Sequence, residues 1–122
     1  MTPPDLRVRT KDFALRVLKV YRALPRKREA RIYGDQLLRS SSSIGANYRE
    51  ATRARSHAEY ISKVGQSLQE LDETRYWLEL LVEGEIVPAK RLESLLDEND
   101  QLIAIFVTLA KRAGDKRRTD AG

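Results

Sequence analysis

A chain of 122 residues suits one domain with a single core, burying roughly two-thirds of the surface its unfolded form exposes. With no cysteine it can form neither disulfides nor thiolate metal sites. No run approaches the ~20 consecutive apolar residues that cross a bilayer and the start, MTPPDLRVRTKD, lacks an apolar signal-type stretch, so the expected location is cytoplasmic. The net charge of +5 is unevenly spread: residues 1–57 hold 14 Lys and Arg against 5 Asp and Glu, whereas residues 58–110 hold 4 against 11. Such asymmetry fits a polyanionic partner, and equally the docking of one copy of the chain on another.

Prolines 25 and 88 and glycines 84 and 114 punctuate four segments of helical period. The spacing predicts a first helix over about 10–24, with Thr10 as N-cap and Phe13, Val17, Val20 and Leu24 on one face. A second runs over about 27–55 with Tyr33, Leu37, Ser41, Ile44, Tyr48 and Ala51 on its stripe. Inside it the run Ser40–Ser43 and Gly45 lowers helix propensity, by about 1 kcal/mol for glycine relative to alanine. Close approach of a neighbouring helix along Ser40, Ser43, Asn47 and Ala54 would offset that cost. A phosphate-binding loop is excluded, because no strand precedes the serines and no Gly-Lys-Ser follows them.

The third helix spans about 57–83, opened by Ser56 and Glu59 in capping-box spacing and closed by Gly84, with Ile61, Val64, Leu68, Leu71, Leu78 and Val82 inward. Its segment YWLELLV, Tyr76–Val82, is apolar nearly all round, which calls for cover on every side. Trp77 and Leu81 are therefore expected at a subunit interface. The fourth helix spans about 88–113, with Leu92, Leu95, Leu96, Leu102, Ile103, Phe106, Leu109 and Ala110 on one face, and residues 114–122 read as a basic flexible tail. Short connections force neighbours to alternate in direction, giving an all-α antiparallel up-down four-helix bundle in a single domain over residues 1–113.

Asn47, Glu50, Glu70, Glu73 and Arg75 are the polar side chains expected to form a partly buried structural network. Arg75 falls within the apolar stripe, so a carboxylate partner is required, with Glu50 the leading candidate. A di-iron site is not expected, since such bundles need Glu-x-x-His on two helices and the chain has one histidine, His57, expected at the surface. No catalytic residue, metal site or cofactor is expected. Three basic clusters are candidates for nucleic-acid phosphates: Arg26, Lys27 and Arg28 between helices, Arg39, Arg49 and Arg53 on the second helix, and Lys111, Arg112, Lys116, Arg117 and Arg118 at the end. Without a recognition helix or zinc finger, such binding would be directed at the backbone.

The runs SIGANYREA (Ser43–Ala51), ARS (Ala54–Ser56) and DETRYWLELL (Asp72–Leu81) resemble the 23S rRNA intervening-sequence protein family, with a likeness extending from about Phe13 to Ala113 and matching motif positions Asn47, Glu50, Glu73 and Trp77. The resemblance implies a small bacterial four-helix bundle that assembles into a homopentameric ring and has no enzymatic activity. Some genes of the family lie inside insertions in large-subunit rRNA genes. Relatives are accessory proteins of diversity-generating retroelements, binding nucleic acid and a reverse transcriptase. The expected function is that of a homo-oligomeric bundle binding RNA or DNA backbone, with a possible protein partner such as a reverse transcriptase. The alternative is a protein-interaction scaffold with no nucleic-acid ligand.

Overall fold

The structure, a computed structural model, describes residues 5–121 and the side chains of residues 5–116. Four helices follow in order: α1 (Leu6–Arg22), α2 (Arg28–Thr52), α3 (His57–Glu83) and α4 (Ala89–Ala121). Each packs on its chain neighbour, α1 also meets α4, and α2 and α4 lie on a diagonal. This is the antiparallel bundle that the periodicity predicts, with no strand among the described residues.

Three helix boundaries differ from the sequence reading, the smallest at α2, which stops at Thr52 and not at about 55, so that Ala54 lies in the connection. Thr10 is not a cap: α1 begins a turn earlier, where the Asp5 carboxylate accepts the Arg7 N–H at 3.0 Å. Leu6 extends the buried face, and the Thr10 hydroxyl is satisfied by donating back to the Leu6 carbonyl at 2.6 Å. Residues 114–121 are likewise not a tail, since α4 runs through Gly114 to Ala121. One glycine costs a helix only about 1 kcal/mol. Ala113 is still packed against the bundle, and basic residues near a helix C-terminus favour the dipole. The start of α3 follows the sequence closely: the Ser56 hydroxyl accepts the Glu59 N–H at 3.1 Å, while the Glu59 carboxylate reaches back to the Arg55 N–H at 3.1 Å. Gly84 closes α3, yet the left-handed residue is the next one, Glu85, at φ 59°.

The core is a column of Phe13, Val17, Leu37, Ile44, Val64, Leu71, Leu78, Leu81, Leu92, Leu102 and Phe106, all fully buried. Buried hydroxyls and one amide set the register. Ser67 donates to the Ile44 carbonyl at 2.9 Å and Thr74 to the Ser40 hydroxyl at 2.8 Å, tying α3 to α2, while the Asn99 amide donates to the Leu71 carbonyl at 3.1 Å, tying α4 to α3. Of the strip Ser40, Ser43, Asn47 and Ala54, only Ser40 is fully buried and Ser43 donates back to the Arg39 carbonyl at 2.9 Å; close approach to α2 comes at Ser40 and at Gly45, from two sides. Ser40 meets α3, whereas an added Cβ at Gly45 would lie 2.9 Å from the Thr10 hydroxyl on α1.

Leu81 corrects the interface expectation, being wholly buried inside its own subunit. The row Ser67–Thr74–Leu81, at heptad spacing, faces α2, so α3 buries a wider arc than the single stripe drawn from sequence. Trp77 is half-buried against Tyr33, with ring centroids 6.0 Å apart, and the exposed member of this segment is Tyr76.

Candidate nucleic-acid interface

Alternating helix direction brings the start of α1, the end of α2, the start of α3 and the end of α4 to one end of the bundle. Arg49 and Arg53, exposed on the last turns of α2, face Arg7 and Lys11 of α1 across an open groove of about 690 Å³. Val8 and Leu15 form its apolar wall, and Asp5, Asp12 and Glu50 also line it. Beside it, Arg53, Arg55 and Lys63 border a second recess of about 400 Å³ with Glu50 and Glu59. Around the corner, Arg112 and Lys116 of α4 rim a third of about 360 Å³. Lys111 is exposed on the same stretch of α4. The α4 helix continues through Arg117 and Arg118, whose side chains lie outside the described residues.

The predicted basic residues are thus not one surface. Arg26, Lys27 and Arg28 sit at the α1–α2 connection, at the opposite end of a 25-residue helix about 37 Å long. Arg39 lies between the ends and is engaged: its guanidinium donates to Glu70 at 3.3 Å and to Glu73. Trp77 Nε1 donates to the same Glu73 carboxylate at 3.2 Å. The Arg39 hydrogen bond holds the Glu73 carboxyl below the usual carboxylate range and lifts Arg39 in turn. The sequence reading missed Arg7 and Lys11, which join the basic end because the start of α1 lies beside the end of α2, and Arg55 and Lys63, which the α2–α3 connection and the first turns of α3 bring there.

The predicted polar network also divides. Glu70 and Glu73 belong together through Arg39. Glu50 pairs with Lys63 at 2.7 Å, so it is not the partner of Arg75. Arg75 points to the α3–α4 edge, where its Nε lies 3.2 Å from Asp100 and 3.9 Å from Glu79, with 38% of the side chain exposed. The stripe position suggested burial, and the head group is divided: Nη1 is buried with no hydrogen-bond partner among the described residues, while Nε reaches the carboxylates at the edge. Asn47 is half-buried on α2. A well-buried ion pair that the sequence did not single out is Arg9 with Glu98 at 2.7 Å, which joins α1 to α4. Among the described residues no three His, Cys, Asp or Glu side chains converge as metal ligands, and no helix is long and apolar enough to cross a membrane.

His57 is not simply a surface residue. Its Nε2 lies 2.7 Å from the Ala113 carbonyl oxygen, and its ring is nearly parallel to that of Tyr60, with centroids 6.3 Å apart and planes at 17°. This contact ties the start of α3 to the extended part of α4.

The profile of the 23S rRNA-intervening sequence proteins matches residues 5–108. Among solved structures, a similar chain is a protein with unknown function from the S23 ribosomal protein family of Bacteroides thetaiotaomicron VPI-5482. It is 34% identical, with a TM-score of 0.81 over 86% of this chain and 97% of that one. No curated protein gives a significant match.

Proposed function

We propose, because this chain belongs to the 23S rRNA-intervening sequence protein family, that it is a non-enzymatic bundle whose copies assemble into a ring, a homopentamer as the resemblance implies, and which binds nucleic-acid backbone through its basic end. The observation that carries this reading is the gathering of Arg7, Lys11, Arg49, Arg53, Arg55, Arg112 and Lys116 around three recesses toward one end of the molecule, the first two of which share Glu50 and Arg53. Cations on several converging elements neutralise successive phosphates, and each adds to a salt-dependent affinity. Among the described residues nothing at this end presents a helix of base-reading side chains, so the contacts position the backbone without selecting a sequence. Self-association is supported by Tyr76 of α3, 54% exposed, whose ring meets the half-buried Trp77, itself against Tyr33 of α2.

Labelled structured RNA and single-stranded DNA titrated from about 50 to 200 mM salt test the binding, and native mass spectrometry of the same samples tests the assembly. Binding that weakens steeply with salt supports the reading. The absence of binding at low salt, with the oligomer intact, favours the second reading, a protein scaffold in which the same aromatic patch serves a partner.

A further inference from the structure

We propose that the recess between the start of α3 and the last turns of α4 holds one unpaired base of a single-stranded nucleic acid, stacked on Tyr60 with its phosphates on Arg112 and Lys116. The inference rests on the nucleic-acid reading above and narrows it to strands with free bases.

The recess exists because the helices end at different levels. Gly45 of α2 lies against Thr10, and from there α1 continues only four residues to Leu6. In the same direction α3 continues ten residues from Ser67, which bonds the neighbouring Ile44, to His57. At 1.5 Å per residue, α1 begins about 9 Å short of the end of the bundle that α3 reaches. Among the described residues, the α3–α4 pair therefore stands without α1 beside it there. The recess left is lined by His57, Tyr60, Leu109, Arg112, Ala113 and Lys116.

Each lining residue has a part in such a site. His57 is fixed by its bond to the Ala113 carbonyl, and its ring lies within 17° of the Tyr60 plane, so two aromatic faces share one orientation. Leu109 and Ala113 supply an apolar floor. Arg112 and Lys116 are four residues apart, hence on one face of α4, and both are exposed at the rim. The volume of about 360 Å³ falls at the lower end of small-ligand sites. An aromatic face beside a pair of cations is the combination that binds single strands, and it tolerates any sequence because every base has a stacking face. A duplex closes those faces, and opening one costs a few kcal/mol.

The test compares a labelled dT oligonucleotide with a hairpin duplex of equal phosphate number, binding to wild type, Tyr60→Leu, Tyr60→Phe and the pair Arg112→Gln/Lys116→Gln. Tyr60→Leu is expected to lose about 5- to 150-fold in affinity for the oligonucleotide while leaving duplex binding unchanged, and Tyr60→Phe to retain it. The double variant lowers the salt dependence for both ligands. Because Tyr60 also packs against the core, a second measurement uses the unaltered protein: an oligonucleotide carrying 2-aminopurine should be quenched on binding. Equal affinity of wild type and Tyr60→Leu for the oligonucleotide, or an unquenched probe, overturns this inference and leaves backbone binding standing. Failure of wild type to bind either ligand at low salt overturns both.

Discussion

Replacing Leu81 with alanine separates the core from the assembly. The side chain is fully buried within one subunit, and the substitution removes three carbons, each worth about 0.8 kcal/mol when buried. That gives about 2.4 kcal/mol before the cavity is counted. Partial collapse around a residual void of some tens of Å³, at about 24 cal/mol per Å³, adds roughly 1 kcal/mol more. The expected loss is thus about 3–4 kcal/mol. With an unfolding entropy near 2.1 cal/mol/K per residue, this lowers Tm by about 12–16 °C for a chain of 122 residues. Urea unfolding followed by circular dichroism, at two protein concentrations, measures the loss, and light scattering reports the mass in parallel. A loss below about 1 kcal/mol accompanied by a fall in oligomer mass would refute the reasoning, since Leu81 would then serve the interface and not the core.

Glycine substitutions should split in sign. Gly45→Ala places a Cβ 2.9 Å from the hydroxyl of Thr10, a buried β-branched side chain anchored to Leu6, and should destabilise by about 1–3 kcal/mol in thermal melts. Gly65→Ala meets nothing within 4 Å and should stabilise by about 1 kcal/mol. Arg75→Ala should cost less than about 1 kcal/mol in urea, because its pairing with Asp100 is half-exposed. Glu73→Gln tests the pH dependence. The Arg39 bond depresses the folded pKa of Glu73, so its stabilisation is present above the unfolded carboxylate pKa and is lost as pH falls through the lower folded one. The pair is largely solvent-screened, so the deficit of the variant should be about 0.2–1 kcal/mol at pH 7 and should shrink in acid-unfolding curves as pH falls below the ordinary carboxylate range.

The bundle was legible because hydrophobic spacing reports which face of a helix is covered, and the rows through Phe13, Leu37, Leu71 and Leu102 do converge in the core. The start of α1 was less so. Leu6 looks isolated until one sees that Thr10, a polar letter in the row, is buried with its hydroxyl satisfied locally. Leu81 was misread because a single stripe cannot represent a helix covered on two sides, and its heptad relation to Ser67 and Thr74 runs through polar residues. Ion pairing was illegible for a different reason. Arg39 and Arg75 each had several carboxylates within reach of any plausible packing, and only the helix register selects Glu70 and Glu73 for one and Asp100 for the other. The candidate site shared that limit: Arg7 and Arg112 are far apart in sequence, and the chain direction alone brings both to the same end of the bundle.

Charge reversal at the two ends tests the central claim most directly. Binding of one labelled RNA is measured across a salt series for wild type, for Arg49→Glu/Arg53→Glu at the basic end, and for Lys27→Glu/Arg28→Glu at the other. If the basic end holds the backbone, the first pair weakens binding and reduces the slope of log K against log salt by about 0.7–0.9 for each contacted phosphate lost, while the second pair leaves both unchanged. Equal losses from the two pairs, or no loss from the first, would contradict that claim.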